Sequence, residues 1–166
     1  DYYTVIMGKT ALLIGAACEV GALYGNGGDD AVEKLGDYGL RLGCGFQIID
    51  DLLDYQGNTE KTGKKVGNDL AEGKMTLPLI LAMQRADAVG RARLTAVLEE
   101  PERRSEHFSE VSELIERYDG FEDSKKKAEE MITEAVTAVE QLVNDSNIKS
   151  INALKALADY VLSREK

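Results

Sequence analysis

Residues 43–57 read GCGFQIIDDLLDYQG, and this stretch decides both the fold class and where the chemistry lies. Apolar residues recur at helical spacing through it and upstream of it, at Leu35, Leu42, Phe46, Ile49 and Leu53. The pattern predicts a helix from about Asp30 to Tyr55, with Gly57 as its C-cap. Four polar residues interrupt the apolar run: Gln47, Asp50, Asp51 and Asp54. Their spacing places them on one face of the helix.

The three aspartates of this face stand in an unfavourable electrostatic position. Like charges three or four residues apart cost about 0.2–0.5 kcal/mol per pair. Anions in the last turns of a helix lose roughly 0.3–1 kcal/mol each against its dipole. No Lys or Arg lies between Gly43 and Gly57 to offset this. A sequence that breaks several local rules indicates a functional site, and oxygen-only ligands favour Mg²⁺ over Zn²⁺. The alternative is three acids clustered near solvent.

A polar segment, Gly57–Lys74, follows the aspartates and is too long for a routine connection. It contains four lysines, Lys61, Lys64, Lys65 and Lys74, against three acidic residues. Lysines directly after a carboxylate cluster suit an anionic substrate bridged by a metal ion, such as a phosphate or diphosphate. The alternative is a solvated lysine loop without a ligand.

The first helix is predicted from about Tyr2 to Tyr24, where a run of glycines ends it. Lys9 and Thr10 interrupt its apolar pattern, and a lysine there is costly unless it reaches solvent or is paired. An anionic ligand shared with the aspartates would pair it. We expect this helix to be buried on most sides within a bundle, and we expect no transmembrane segment.

The remaining sequence is also helical in pattern. A helix is predicted to begin near Thr76, as N-cap, with Pro78 in its first turn. Further amphipathic stretches follow at Arg91–Glu99, Ser105–Tyr118, Ser124–Val143 and Ile151–Arg164. No strand-like alternation occurs. The sequence therefore predicts an all-α helical bundle.

Charge and cysteine content restrict the function classes. The formal net charge of −10 disfavours binding to nucleic acid, whose phosphates it would repel. Two cysteines, Cys18 and Cys44, do not make a disulfide framework and are expected to pack as small hydrophobic residues. These features predict a reducing, cytoplasmic location.

Four motifs give the sequence a specific resemblance. They are GKTA at 8–11, GFQIIDDLLD at 45–54, TGKKVGNDL at 62–70 continuing to Gly73-Lys74, and ALADYV at 156–161. In this order and spacing the chain resembles the trans-isoprenyl diphosphate synthases, or polyprenyl synthetases, which include the farnesyl, geranylgeranyl and octaprenyl enzymes. The resemblance implies that residues 1–166 form the C-terminal part of a single domain with the isoprenoid synthase fold.

The resemblance also implies roles for individual residues. It assigns Mg²⁺ ligation to Asp50, Asp51 and Asp54, with Asp50 carrying most of it. It assigns diphosphate binding to Lys9, Thr10, Gln47, Lys64, Lys65 and Lys74. Lys9, Gln47 and Asp50 are the residues expected to take part in catalysis. The implied reaction is Mg²⁺-dependent condensation of an allylic prenyl diphosphate with isopentenyl diphosphate in isoprenoid biosynthesis, by a homodimer.

One departure from the family pattern limits these expectations. The family carries a first aspartate-rich motif, with an adjacent basic pair, upstream of the lysine–threonine helix, and neither occurs here. The chain opens on Asp1 without a visible signal peptide, so we expect an N-terminal half to be missing. We expect the chain alone to be inactive and its association with that half to restore activity. Two alternatives stay open: a terpene cyclase, and a catalytically silent helical subunit that regulates a partner synthase.

Overall fold

The computed structural model of the chain describes residues 2–57 and 66–164. These residues are helical, and no strand occurs among them, so the all-α prediction is confirmed. They form two compact units. The first consists of residues 2–49 and 127–164, and the second of residues 50–57 and 66–126. The prediction of a single domain stays a prediction.

Eight α-helices lie in the described part of the chain. They are α1 (Tyr2–Tyr24), α2 (Gly28–Gln56), α3 (Asn68–Ala71), α4 (Leu77–Arg85), α5 (Ala88–Leu98), α6 (Phe108–Arg117), α7 (Gly120–Glu140) and α8 (Ile148–Ser163). A 3₁₀ helix, Pro101–His107, precedes α6. Within α1, the stretch Met7–Ala11 is a π-helical turn.

Several predicted boundaries differ from the observed ones for identifiable reasons. The predicted helix Ser105–Tyr118 is a 3₁₀ helix up to His107 and α-helical only from Phe108. α7 begins at Gly120 rather than at Ser124, because Asp119 adopts a left-handed conformation (φ 57°) and ends the preceding segment. Thr76 is the N-cap residue of α4 as predicted, but its side chain makes no capping bond. Its hydroxyl donates to the Tyr55 hydroxyl oxygen at 3.4 Å instead.

In the first unit, α1 and α2 approach each other at backbone distance. A Cβ added at Gly39 would lie 2.8 Å from the Gly15 Cα, and one added at Gly43 would lie 2.6 Å from the Ala11 Cα. Neither glycine can therefore be enlarged without moving a helix. The fully buried Tyr38 of α2 ties α8 to the same core, since its hydroxyl donates to the Leu154 carbonyl at 2.8 Å.

The outward side of α1 is apolar and exposed. Its exposed side chains include Val5 (61%), Leu13 (77%) and Tyr24 (90%), and only 22% of its most apolar window is buried. The expectation of a helix buried on most sides is wrong for the described chain, because only the stripe that faces α2 is covered. By length and composition alone α1 could cross a membrane, so the absence of a transmembrane segment stays a prediction.

The second unit has its own core, built from α4, α5 and α6. Leu79, Leu94 and Ile115 have no exposed surface there. Three aromatic rings pack beside them at the end of α2. The Tyr55 ring stacks on Phe108 with centroids 5.9 Å apart and meets Phe121 at 5.7 Å. The end of α2 is thereby fixed to this core.

The contact between α1 and α2 yields a stability prediction. Gly43→Ala should lower the free energy of unfolding by about 1–3 kcal/mol, because the new methyl group overlaps the Ala11 backbone. The matched control is Gly21→Ala on α1, where nothing lies within 4 Å of the added Cβ. It should raise stability by about 0.5–1 kcal/mol through helix propensity. Urea unfolding of the three proteins measures both effects, and equal stability of Gly43→Ala and wild type would contradict the contact.

Candidate functional site

The polar residues predicted to share a face all lie in the continuous helix α2. Gln47 is 4% exposed and Asp51 is 6% exposed, whereas Asp50 and Asp54 are partly exposed. A buried amide and a buried carboxylate on an otherwise apolar helix are costly unless they find partners. The side chains of this row are therefore more constrained than a solvated acidic face would be.

In the first unit, Gln47 meets a residue of the lysine–threonine motif. The Thr10 hydroxyl donates to Gln47 Oε1 at 3.1 Å. Thr10 lies in the π-helical turn of α1, a rare element that often occurs at functional sites. Two residues that the sequence assigned to one site are thus in direct contact.

Lys9 belongs to the same π-helical turn and is exposed. Lys9 therefore meets the first of the two predicted conditions, since it reaches solvent, and the cost of burying a lysine does not arise in the described chain. Lys9 remains next to Thr10 in sequence, and its ammonium group is accessible to an anion. Its role in diphosphate binding stays a prediction.

In the second unit, Asp54 is joined to the segment that follows the lysine-rich loop. Asp54 Oδ2 accepts from the Asp69 amide at 2.9 Å, and the Asp54 carbonyl accepts from the Gly67 amide at 2.8 Å. Asp69 Oδ1 in turn accepts from Lys74 Nζ at 2.9 Å, and the Lys74 amide donates to the Asp69 carbonyl at 2.8 Å. Asp69 therefore links the aspartate row to Lys74.

Asp69 is the site residue that the sequence argument missed. In the sequence it is one of three acidic residues in the lysine-rich segment Gly57–Lys74, and nothing there gives it a separate role. The sequence contains one signal for Asp69, which is the preceding glycine, Gly67. In the structure Gly67 is the N-cap of the short helix α3 and adopts the left-handed conformation, with φ 87°. The left-handed turn that this glycine permits brings the amides of Gly67 and Asp69 to two oxygens of Asp54.

Lys74 is held between two carboxylates. Its ammonium group lies 2.7 Å from Glu72 Oε2 and 2.9 Å from Asp69 Oδ1. These partners, Glu72 first, raise the pKa of Lys74 above its ordinary value, and Lys74 lowers the pKa of Glu72. Lys74 is therefore fully protonated at neutral pH, as a ligand for diphosphate must be.

The aspartates assigned to Mg²⁺ do not form a metal-binding cluster in the described part of the chain. Among residues 2–57 and 66–164, no group of three His, Cys, Asp or Glu side chains is arranged to hold a metal ion. Magnesium ligation by Asp50, Asp51 and Asp54 stays a prediction, although their oxygen donors are of the type that Mg²⁺ prefers. Lys64 and Lys65 lie outside the described residues.

The Thr10–Gln47 hydrogen bond can be tested directly. Thr10→Val should cost about 1–2 kcal/mol of stability, because it removes the hydroxyl that serves a buried amide oxygen. Thr10→Ser keeps that hydroxyl and should cost less. Thr4→Val, at an exposed position of the same helix, is the matched control. The bond would be refuted if Thr10→Val and Thr4→Val had the same effect on urea unfolding.

The raised pKa of Tyr55 leads to a prediction of how the free energy of unfolding changes with pH in alkaline solution. Burial raises its pKa from 10.0 to about 12. Between those values the unfolded chain has lost this proton while the folded chain keeps it, so the free energy of unfolding should fall as pH rises from 10 to 12. Tyr55→Phe should reduce this loss; part remains, because burial also raises the pKa of Tyr38 to about 12. Tyr160→Phe, at an exposed tyrosine, should leave the pH profile of chemical unfolding unchanged.

Comparison with known proteins adds to this geometry. The polyprenyl synthetase family model matches residues 1–116. The short chain isoprenyl diphosphate synthase of Methanothermobacter thermautotrophicus is 39% identical over 165 residues, which are 99% of this chain and 49% of that protein. The octaprenyl diphosphate synthase of Haemophilus influenzae is 38% identical over 95% of this chain and 48% of its own length. The chain thus spans about half the length of these relatives.

A solved structure agrees with these sequence matches. The polyprenyl synthase of Caulobacter crescentus, complexed with calcium and isoprenyl diphosphate, superposes with a TM-score of 0.90 at 35% identity. The superposition covers 99% of this chain and 49% of that one. The fold expected from the resemblance is confirmed, and the chain belongs to the polyprenyl synthetase family.

Proposed function

We propose that this chain is the C-terminal part of a Mg²⁺-dependent trans-prenyltransferase that condenses an allylic prenyl diphosphate with isopentenyl diphosphate. The observation that carries the proposal is the linkage of Asp54, Asp69 and Lys74, which holds a protonated lysine beside the aspartate row. Family membership supports the same chemistry, since the relatives are named as isoprenyl and octaprenyl diphosphate synthases. The Caulobacter enzyme, complexed with calcium and isoprenyl diphosphate, supports a divalent cation and this substrate class.

The proposed metal ligands are Asp50, Asp51 and Asp54. Their carboxylates fit Mg²⁺ by donor chemistry, because the row contains only oxygen ligands and no His or Cys lies on it. When bound, Mg²⁺ would offset the negative charge of the diphosphate group. Asp50 is proposed to contribute most of the ligation, as the family resemblance implies, while Asp54 Oδ2 also accepts the Asp69 amide.

In the proposed reaction the carbon–oxygen bond of the allylic diphosphate breaks, and diphosphate leaves with the bonding electrons. The double bond of isopentenyl diphosphate then supplies the electrons of the new carbon–carbon bond, and the proton that is lost goes to the departing diphosphate. Lys9 and Lys74 hold the diphosphate, together with Lys64 and Lys65. In this proposal Thr10 contacts the allylic diphosphate, and Gln47, whose amide oxygen accepts the Thr10 hydroxyl, lies near the reacting allyl group.

Activity should require the half of the synthase that this chain does not span. The relatives are about twice as long, and α1 exposes apolar side chains that a further helical layer would cover. We propose that the N-terminal half covers this side of α1 and that the complete protein is a homodimer. A cytoplasmic location is also proposed, since Cys18 and Cys44 are both free thiols.

The decisive test is prenyl transfer with labelled isopentenyl diphosphate and an allylic diphosphate. The 166-residue chain alone should give no product, whereas a fusion to the N-terminal half of the Methanothermobacter relative should elongate the allylic substrate. Asp50→Asn in the fusion should lower the rate by at least about tenfold, because a charged ligand contributes roughly 1.5–3 kcal/mol. Glu33→Gln, at an exposed acid of the same helix, should leave the rate unchanged.

The other outcomes separate the alternatives. A fusion that releases hydrocarbon rather than a longer diphosphate would identify a terpene cyclase. Activity that is unaffected by Asp50→Asn would indicate that this half serves as a silent structural subunit. Prenyl transfer by the 166-residue chain alone would overturn the need for a second half.

A further inference from the structure

The segment Gly67–Lys74 is held from one side by Asp54 and from the other by residues that no motif contains. The 3₁₀ helix Pro101–His107 and the first residue of α6 lie against it, within the second unit. Two contacts make this arrangement, one at each end of the segment. Both occur at glycines with positive φ, where a side chain would be strained as well as crowded.

The first contact joins Gly73 to Arg104. Gly73 has φ 73°, and a Cβ added there would overlap Nη1 of the Arg104 guanidinium. The guanidinium is itself fixed, because its Nε donates to the Leu98 carbonyl at 3.0 Å and its Nη2 donates to the same oxygen. Arg104 therefore packs on the backbone of the residue that directly precedes Lys74.

The second contact joins Gly67 to Phe108. Gly67 has φ 87°, and a Cβ added there would lie 2.6 Å from Phe108 Cδ2. The Phe108 ring also stacks on Tyr55, at an interplanar angle of 14°. Tyr55 directly follows Asp54, so one aromatic stack joins the end of α2 to the start of the Gly67–Lys74 segment.

These contacts leave little freedom for the backbone that carries Lys74. Asp54 binds the amides of Gly67 and Asp69, while Phe108 and Arg104 occupy the space that would let the segment move away. The position of the Lys74 ammonium group then follows from the backbone and from its two carboxylate partners. A ligand of this kind gains affinity by being held in place before the substrate arrives.

We propose that Arg104 and Phe108 are positioning residues, which hold the Gly67–Lys74 segment so that Lys74 is preorganised to bind diphosphate. The inference rests on the proposed function of Lys74, but its structural part can be measured without any ligand. Neither residue is expected to contact the substrate. Their effect should pass through the backbone at Gly67 and Gly73.

The test compares Arg104→Met and Phe108→Leu with a matched control in the same 3₁₀ helix. Arg103→Met is that control, because among residues 2–57 and 66–164 the Arg103 side chain binds the nearby Glu100 and Glu106 at the surface. Titration of the 166-residue chain with inorganic diphosphate in the presence of Mg²⁺ measures affinity, with Lys74→Ala as the positive control. Arg104→Met and Phe108→Leu should weaken binding roughly fivefold to tenfold. This is the change in affinity expected when an interaction with the free energy of one hydrogen bond is lost. Arg103→Met should bind as wild type does.

Hydrogen exchange supplies a readout that a general loss of stability would not reproduce. The amides of Asp69 and Lys74 should exchange faster in Arg104→Met and Phe108→Leu, because their acceptors lie within the segment and in Asp54. Amides in α8, which belongs to the first unit, should keep their wild-type rates. If either variant fails to fold, Arg104→Lys or Phe108→Tyr replaces it. Arg104→Lys should give intermediate diphosphate affinity and exchange rates, and Phe108→Tyr should give values near those of wild type.

The results distinguish an error in the proposed function of Lys74 from an error in the positioning role of Arg104 and Phe108. If wild type and Lys74→Ala bind diphosphate equally, the proposed function of Lys74 is wrong, and hydrogen exchange alone decides whether the segment is held as described. If Lys74→Ala weakens binding while Arg104→Met and Phe108→Leu match Arg103→Met in affinity and exchange, the positioning role is wrong.

Discussion

The first unit depends on the close approach of the α1 and α2 backbones at Gly39 and Gly43. Ala11 is the residue of α1 that meets Gly43, and Thr10 directly precedes it. The contact that sets the helix spacing therefore also sets the 3.1 Å distance from the Thr10 hydroxyl to the Gln47 amide oxygen. A larger side chain at Gly43 would separate the helices and break this hydrogen bond, so packing and the polar pair form one arrangement.

The aspartates near the C-terminal end of α2 show how a helix tolerates negative charges beside the negative end of its dipole. Repulsion and the helix dipole oppose them, and the sequence supplies no nearby cation. The structure offsets part of this cost with backbone donors, since Asp54 receives the Asp69 amide on its side chain and the Gly67 amide on its carbonyl. The aromatic stack of Tyr55 on Phe108 adds burial just beyond the charges. The protein's own amides therefore supply part of the stabilisation of this row.

Sequence patterns predicted the helical elements well because apolar periodicity is a local property. They failed where the outcome depends on distant residues. The sequence of Met7–Ala11 does not predict a π-helical turn, because Lys9 and Thr10 interrupt the apolar pattern without distinguishing a π turn from an α-helix. Asp69 was missed because its significance arises from Asp54, 15 residues away, and from the turn at Gly67. Arg104 and Phe108 lie still farther along the chain, and only the fold brings them to Gly73 and Gly67.

The exposed side of α1 sets how the candidate site can be completed. Its apolar side chains include Val5, Leu12, Leu13, Val20 and Leu23, all at least half exposed. Burying the surface that each still exposes would contribute about 1–2 kcal/mol, roughly 5–9 kcal/mol together, which is similar to the 4–15 kcal/mol that association of separate chains costs. A covering half supplied as a separate chain would therefore bind weakly through this face alone. A covalently joined half avoids most of that cost because its effective concentration is high. Since Lys9 and Thr10 lie on the same helix, a half that covers α1, as the proposed function requires, would also bring its own polar groups near them.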